Sequence, residues 1–199
     1  MIDPDPILGA PLDRFLDAVA EGSPGAAAGA GAIVATAIAA GLVTMCARRS
    51  VETWDGASAA AGQAERLRSR AAALLAEAEA AHAEAVHRLD RRADESSGDS
   101  QHRDWQLGQA LRRAAEAPSR CAEVAADAAE LGAETAGRCE PGCRPDAIAA
   151  CVLAEGAARI FSDLVGVNLA FGTDERLRDD AAAAARRARA ASDRASALA

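Results

Sequence analysis

An all-α helical bundle is the fold that this sequence predicts, and its composition gives two reasons. Half of its 199 residues are hydrophobic, yet only 3% are aromatic and Tyr is absent, so Ala supplies most of the apolar surface. Alanine has the highest intrinsic helix propensity, and the residues that favour strands are sparse. We therefore expect one domain over residues 1–199, a bundle of five to six helices with a central Ala-rich buried helix.

The spacing of large apolar residues, and the breakers between them, predict where the helices lie. Leu12, Phe15, Leu16 and Val19 recur at the three- and four-residue steps of a short amphipathic helix. Pro118 predicts a kink or a break in the fourth helix. Thr173 or Asp174 can cap the last helix, whose segment 178–199 is expected to be peripheral. The predicted helices span residues 11–20, 27–50, 58–92, 105–138, 145–171 and 175–199.

The stretch from Gly25 to Ala47 carries no charge and ends at Arg48 and Arg49, as a membrane span would. Ala and Gly dominate it, however, whereas membrane insertion depends on Leu, Ile, Val and Phe. We interpret it as the central buried helix and expect no membrane association.

Charge and cysteine content restrict the partners further. A net charge of −8 argues against nucleic acid as a partner. The five cysteines are odd in number and follow no secretion signal, which favours reduced thiols in a cytoplasmic protein. His82 and His87 are five residues apart and do not share a helix face, so no metal site is predicted.

Three segments, in order along the chain, carry motifs that occur together in one enzyme family. Residues 15–24 lead into a turn and an Ala-rich helix, where that family has Ser-Pro-Thr-Pro-Gly-Gly-Gly-Ser. Residues 115–118 read Ala-Glu-Ala-Pro, and residues 146–155 read Asp-Ala-Ile-Ala-Ala-Cys-Val-Leu-Ala-Glu. The combination resembles the formiminotetrahydrofolate cyclodeaminase and methenyltetrahydrofolate cyclohydrolase family over about residues 11–177.

The resemblance implies an all-helical homodimer with active sites near the subunit interface and a tetrahydrofolate derivative as the small-molecule substrate. The reaction would be closure of a five-membered ring with loss of ammonia, or hydrolysis of methenyl-folate, and it would need no metal or redox cofactor. The implied catalytic positions are Glu79 and Asp146. The implied substrate-binding positions are Ser23, Gly25, Ala28, Gly29, Ala30 and Arg144.

Both carboxylates also have a simpler interpretation, which stays open. Glu79 has the context of a solvent-facing helix charge. Asp146 follows a proline in a predicted first turn, where a carboxylate interacts favourably with the helix dipole.

The sequence departs from the family at the turn itself, where only Gly29 keeps its glycine and Ala occupies positions 26, 27, 28 and 30. A family lysine-rich stretch after the core helix is replaced by residues 50–55. Three hypotheses follow: an active enzyme of the family, a cyclase or lyase repurposed for a non-folate molecule in specialised biosynthesis, or a non-catalytic helical dimer.

Overall fold

A computed structural model describes residues 11–22, 28–94, 100–170 and 174–199. All the regular structure in these ranges is helical, which confirms the predicted all-α bundle. A short 3-10 turn over Pro141–Cys143 precedes the fifth helix. The helices are α1 (Leu12–Ala20), α2 (Ala28–Arg49), α3 (Ala57–Asp94), α4 (Ser100–Arg138), α5 (Arg144–Asn168) and α6 (Glu175–Ser196).

Helix α2 is the central helix, as predicted, and it packs against α3, α4 and α5. Its buried side includes Ile33, Ala39, Ala40 and Val43. Among the described residues it is the one helix long and apolar enough to cross a membrane, and 56% of its most apolar window is buried inside the bundle. Such burial is what the core helix of a bundle requires.

Helix α4 continues through Pro118, so the proline does not end it. A proline has no backbone N–H, and the carbonyl of Ala114, four residues earlier, therefore loses its intrahelical donor. Asn168 of α5 supplies a replacement, because its Nδ2 donates to that carbonyl over 2.9 Å. The hydrogen bond that α4 loses at Pro118 is thus replaced by one between α5 and α4.

Helix α4 differs most in extent from the sequence-based boundaries, whereas α6 begins where the sequence predicts. Helix α4 begins at Ser100 rather than near residue 105, and its Leu107 and Leu111 form a small separate core with Ala85 of α3. Helix α6 starts at the Asp174 cap, whose Oδ1 accepts from the Leu177 N–H over 3.3 Å. The sequence predicts a polar loop over residues 94–100, but the structure places Asp94 and Ser100 in helices, and residues 95–99 lie outside the described residues.

Helix α6 lies at the outside of the bundle but packs against both α4 and α5. Its inward face is a stripe of fully buried alanines: Ala181, Ala184, Ala188, Ala191 and Ala195. On its other flank Arg187 reaches Glu123, Asp127 and Glu130 of α4 at 2.7–2.9 Å. A helix with few large apolar residues is therefore held by close Ala packing and by one guanidinium among three carboxylates.

Candidate functional site

The candidate site residues fall at two opposite ends of the bundle, because α2 and α5 run antiparallel. At one end a Cβ added to Gly29 would lie 3.5 Å from Leu164 Cδ1. At the other end the Cys46 thiol donates to the Cys143 carbonyl over 3.3 Å. We call the end with residues 28–30 the turn end.

The opposite end, with residues 139–146, we call the connector end. From Asp146 to Leu164 is 18 residues of continuous helix, or about 27 Å at 1.5 Å per residue. Residues of the two ends are therefore too far apart to contact the same reacting group within a single chain.

Glu79 belongs to the turn end. Helix α3 returns alongside α2, and Glu79 lies 22 residues after Ala57, about 33 Å along the axis, which equals the length of α2. Glu65 points towards α2, since it pairs with Arg48 at 3.2 Å. Glu79 follows Glu65 by four turns and stays within about 40° of its direction.

The neighbouring acid, Glu77, faces elsewhere. It pairs with Arg120 of α4, and two residues of helix turn the chain by about 200°. The side chain of Glu79 is thus directed away from that ion pair and towards the side of α2.

The carboxyl of Glu79 has an unusual environment at the turn end. Its Oε1 is buried and has no hydrogen-bond partner, and burial raises the pKa of this carboxyl above its usual 4.5. A buried carboxylate without a partner is costly, so such a group holds its proton more tightly or awaits a donor. A carboxyl with these properties is suited to general acid catalysis.

The start of α2 supplies the rest of the turn end. Ala28 is exposed, Gly29 is half-buried and Ala30 is buried. The first N–H groups of a helix have no intrahelical partner, so this end attracts negative or carbonyl oxygens. Ser23 and Gly25, the other two predicted binding residues of the turn, lie outside the described residues.

The connector end is, by contrast, a hydrogen-bonded structural joint. Arg144 donates from Nε to the carbonyl of Ala136 over 3.2 Å, which satisfies one of the last carbonyls of α4. Ser50 Oγ accepts from the Glu140 N–H over 2.9 Å and donates to the Cys46 carbonyl over 2.8 Å. Asp146 is exposed in the first turn of α5. This placement suits an interaction with the helix dipole.

The cysteines are all free and all buried. Three of them, Cys46, Cys139 and Cys143, pack together at the connector end with Cys151 nearby. Burial, reinforced by Cys143 and Cys139, raises the pKa of Cys46 to about 12. Burial also raises the pKa of Cys121 to about 12 and that of Cys151 to about 11. Such thiols are poor nucleophiles at neutral pH.

Two open clefts are described, and neither contains Glu79 or Asp146. One of about 480 Å³ lies beside the α2–α3 turn and is lined by Trp54, Gln63 and Arg138 among others. The other, about 400 Å³, lies between α4 and α6 beside Arg120 and Leu177. In the described ranges no group of three or more His, Cys, Asp or Glu side chains has the arrangement of a metal site.

Sequence reasoning missed one further acidic residue with an unusual environment. Glu155 is only 8% exposed, its Oε1 has no hydrogen-bond partner, and the guanidinium groups of Arg159 and Arg189 stand 3.7 Å away. It is the last residue of the motif at residues 146–155, which by itself predicts no separate role for it. The available signal was a lone Glu on the Ala-rich face of a core helix.

Comparison with known proteins decides the family. The sequence model of the formiminotransferase-cyclodeaminase family matches residues 11–187. The chain belongs to this family. The match extends into α6, past the end of the segment that carried the motifs.

A solved structure shares the fold. Formiminotetrahydrofolate cyclodeaminase from Thermotoga maritima is similar with a TM-score of 0.81 and 22% sequence identity, over 96% of both chains. None of the curated proteins matches the chain significantly. The all-helical architecture and its cyclodeaminase-like character are therefore established, and the reaction has to be argued from the residues.

Proposed function

We propose that this protein catalyses ring closure with loss of ammonia on a formimino-substituted tetrahydrofolate, with Glu79 as the general acid. The observation that carries the proposal is the buried, unpartnered Oε1 of Glu79 at the level of the first turn of α2. Membership of the formiminotransferase-cyclodeaminase family supports the reaction class.

The chemistry asks for one acid of raised pKa. The substrate's secondary amine attacks the formimino carbon, a new C–N bond forms, and the amine's proton passes to the formimino nitrogen. The bond from carbon to that nitrogen then breaks, and a proton from Glu79 lets the nitrogen leave as neutral ammonia. Glu79 ends as a carboxylate beside a cationic amidinium product, and the two charges attract.

Asp146 and Arg144 have structural roles in this proposal. Both lie about 27 Å along α5 from the turn end, and Arg144 is committed to the Ala136 carbonyl. They support the joint between α4 and α5 rather than the reacting atoms.

A second candidate is the same ring closure on a less polar, non-folate substrate. Ala28 and Ala30 occupy the first turn of α2, where their methyl groups offer a ligand no side-chain hydrogen bond. That composition favours a substrate with fewer polar groups.

We further propose that the protein works as a homodimer through the outward faces of α2 and α5. Ile38 and Val152 are each 50% exposed, and Ile160 and Val167 are exposed beside them. Apolar surface of this kind marks an interaction site.

Three helical glycines support the same face. A Cβ added to Gly31, Gly41 or Gly156 would meet nothing within 4 Å in the chain. Each costs about 0.5–1 kcal/mol of helix stability relative to Ala, with no return from packing inside the chain. A partner helix approaching closely would explain them.

The experiment is to incubate the purified protein with formiminotetrahydrofolate and follow ammonia release together with the absorbance of the methenyl product. The proposal expects both to appear in equal amounts above the buffer rate. Absence of both would remove the folate substrate. Ammonia release from a non-folate formimino-amine by the same preparation would then favour the second candidate.

A further inference from the structure

Helix α1 leaves its apolar face uncovered. Phe15 packs against the main core, but Leu12 is 65% exposed, Leu16 57% and Val19 43%. Viewed down the helix, these three lie within about 100° of Phe15 on one side. A nine-residue helix with such a stripe is not stable by itself and needs its apolar side buried.

The composition of α1 argues against a lipid surface as the cover. Its polar side and the residue that follows it carry Asp13, Asp17 and Glu21 against a single base, Arg14. Helices that lie on anionic membranes carry Lys and Arg there. The acidic side would be repelled by such a surface.

The chain offers a matching surface of its own kind. The outward face of α2 is uncharged up to Arg49 in its last turn, and it centres on Ile38 with Val34 and Met45 half-buried beside it. The outward face of α5 adds Val152 and Ile160, with the exposed Asp163 between them in direction and Arg159 at the edge. We call this the α2/α5 face.

The area of the α2/α5 face is somewhat short of what a stable dimer needs. Two adjacent helices about 33 Å long and about 20 Å wide together present about 650 Å², whereas a standard interface buries about 800 Å² per partner. The exposed side of α1, about 14 Å by 10 Å, adds about 140 Å² and brings the total close to that value.

We infer that α1 clasps a second copy of this chain: Leu12, Leu16 and Val19 of each protomer pack against the partner at the edge of its α2/α5 face. A two-fold axis makes the exchange reciprocal, so each contact of α1 with the partner occurs twice in the dimer. This inference rests on the dimer proposed above, and it adds α1 to the interface formed by α2 and α5. Because α1 precedes α2 in the chain, the clasp brings the turn end to the subunit boundary.

Sedimentation velocity on three proteins tests this: the wild type, Leu16→Asp and Arg14→Gln. Each substitution makes the net charge more negative by one unit at an exposed position of α1, on opposite sides of the helix. We expect the wild type to be a dimer, Leu16→Asp to weaken dimerisation at least 10-fold, and Arg14→Gln to match the wild type within 2-fold. Circular dichroism of each variant checks that the helical content is unchanged.

Two further measurements distinguish the α1 contact from the α2/α5 dimer and from membrane binding. Ile160→Asp should also dissociate the dimer. If it does while Leu16→Asp does not, the α2/α5 dimer stands and the α1 clasp is overturned. A monomeric wild type overturns both. Binding of the wild type, but not of Leu16→Asp, to phosphatidylserine vesicles would assign α1 to a membrane instead. None of these outcomes depends on the ammonia-release assay, so failure of the proposed reaction is seen independently.

Discussion

The turn end and the connector end of the bundle are built from the same α2 and α5, yet they meet polar groups in opposite ways. At the connector end Ser50 is hydrogen-bonded to the Glu140 N–H and the Cys46 carbonyl, and Arg144 to the Ala136 carbonyl. At the turn end Glu79 is half-buried, and its enclosed Oε1 has no hydrogen-bond partner. A folded chain tolerates such a cost where function requires it, and this difference is why we propose that the chemistry takes place at the turn end.

Replacing Glu79 should have the largest effect, because the proposal places the acid of the reaction there. Glu79→Gln keeps the shape but cannot donate an acid proton, and we expect kcat for ammonia release to fall by about 10²–10⁴. Glu77→Gln, two residues away on the exposed side of α3, is the matched control and should retain the wild-type rate. Equal losses in the two variants would mean that α3, and not the Glu79 carboxyl, is what matters.

The same assay addresses the connector end. Asp146→Asn should cost about 0.3–1 kcal/mol of stability through the lost helix-dipole interaction, measured by urea unfolding. Its kcat should stay close to that of the wild type. A loss comparable to that of Glu79→Gln would return Asp146 to the catalytic machinery.

Thiol reactivity tests whether the cysteines, most of which lie at or near the connector end, are closed to solvent. The raised pKa values of Cys46, Cys121 and Cys151 predict alkylation by iodoacetamide about 10²–10³ times slower in the native than in the unfolded protein at neutral pH. Mass spectrometry should find all five cysteines modified in denaturant. Rapid native modification of Cys139 or Cys143 would show that the connector end is open rather than sealed.

Close helix packing behind the connector end gives a fourth test. A Cβ on Gly132 of α4 would lie 2.8 Å from Cys151 Sγ of α5, so Gly132→Ala should destabilise the fold by about 1–3 kcal/mol. Adding Cys151→Ala removes the opposing sulfur and should restore most of the loss in urea unfolding. A double variant as unstable as the single one would exclude this contact as the cause.

The hydrogen bond between Asn168 and the Ala114 carbonyl gives a stability test of its own. Asn168→Ala leaves that carbonyl without its donor and should cost about 1–2 kcal/mol. In a Pro118→Ala background the residue at 118 regains an N–H that can reach Ala114, so the same change should cost less. Equal costs in both backgrounds would mean that Asn168 does not compensate for the proline.

Much of the fold could be predicted because alanine content and apolar spacing are local signals. Helix α2 begins at Ala28 and ends at Arg49, within a residue of the predicted range. The continuity of α4 through Pro118 could not be predicted, since it depends on Asn168, which is 50 residues away in sequence and donates across helices. The start of α4 at Ser100 likewise depends on a small core shared with α3.

The candidate site was predictable only in its parts. Family motifs pointed to Glu79 and to Asp146, but their separation follows from the antiparallel course of α2 and α5, which no local pattern records. The environment of Glu79 was equally hidden, because an Ala-rich helix with charges at 77 and 79 looks like a solvated face. Only the packing shows that Glu77 holds Arg120 while the Oε1 of Glu79 is enclosed.

The pH dependence of kcat/KM for ammonia release tests the role of Glu79 most directly. Burial raises the pKa of this carboxyl above 4.5, and an acid must be protonated to act, so activity should be full below the raised pKa and fall as the pH rises through it. Glu79→Gln should lose this descending limb together with most of the rate. A wild-type rate that rises with pH through the same range, or a limb that persists in Glu79→Gln, would contradict Glu79 as the acid.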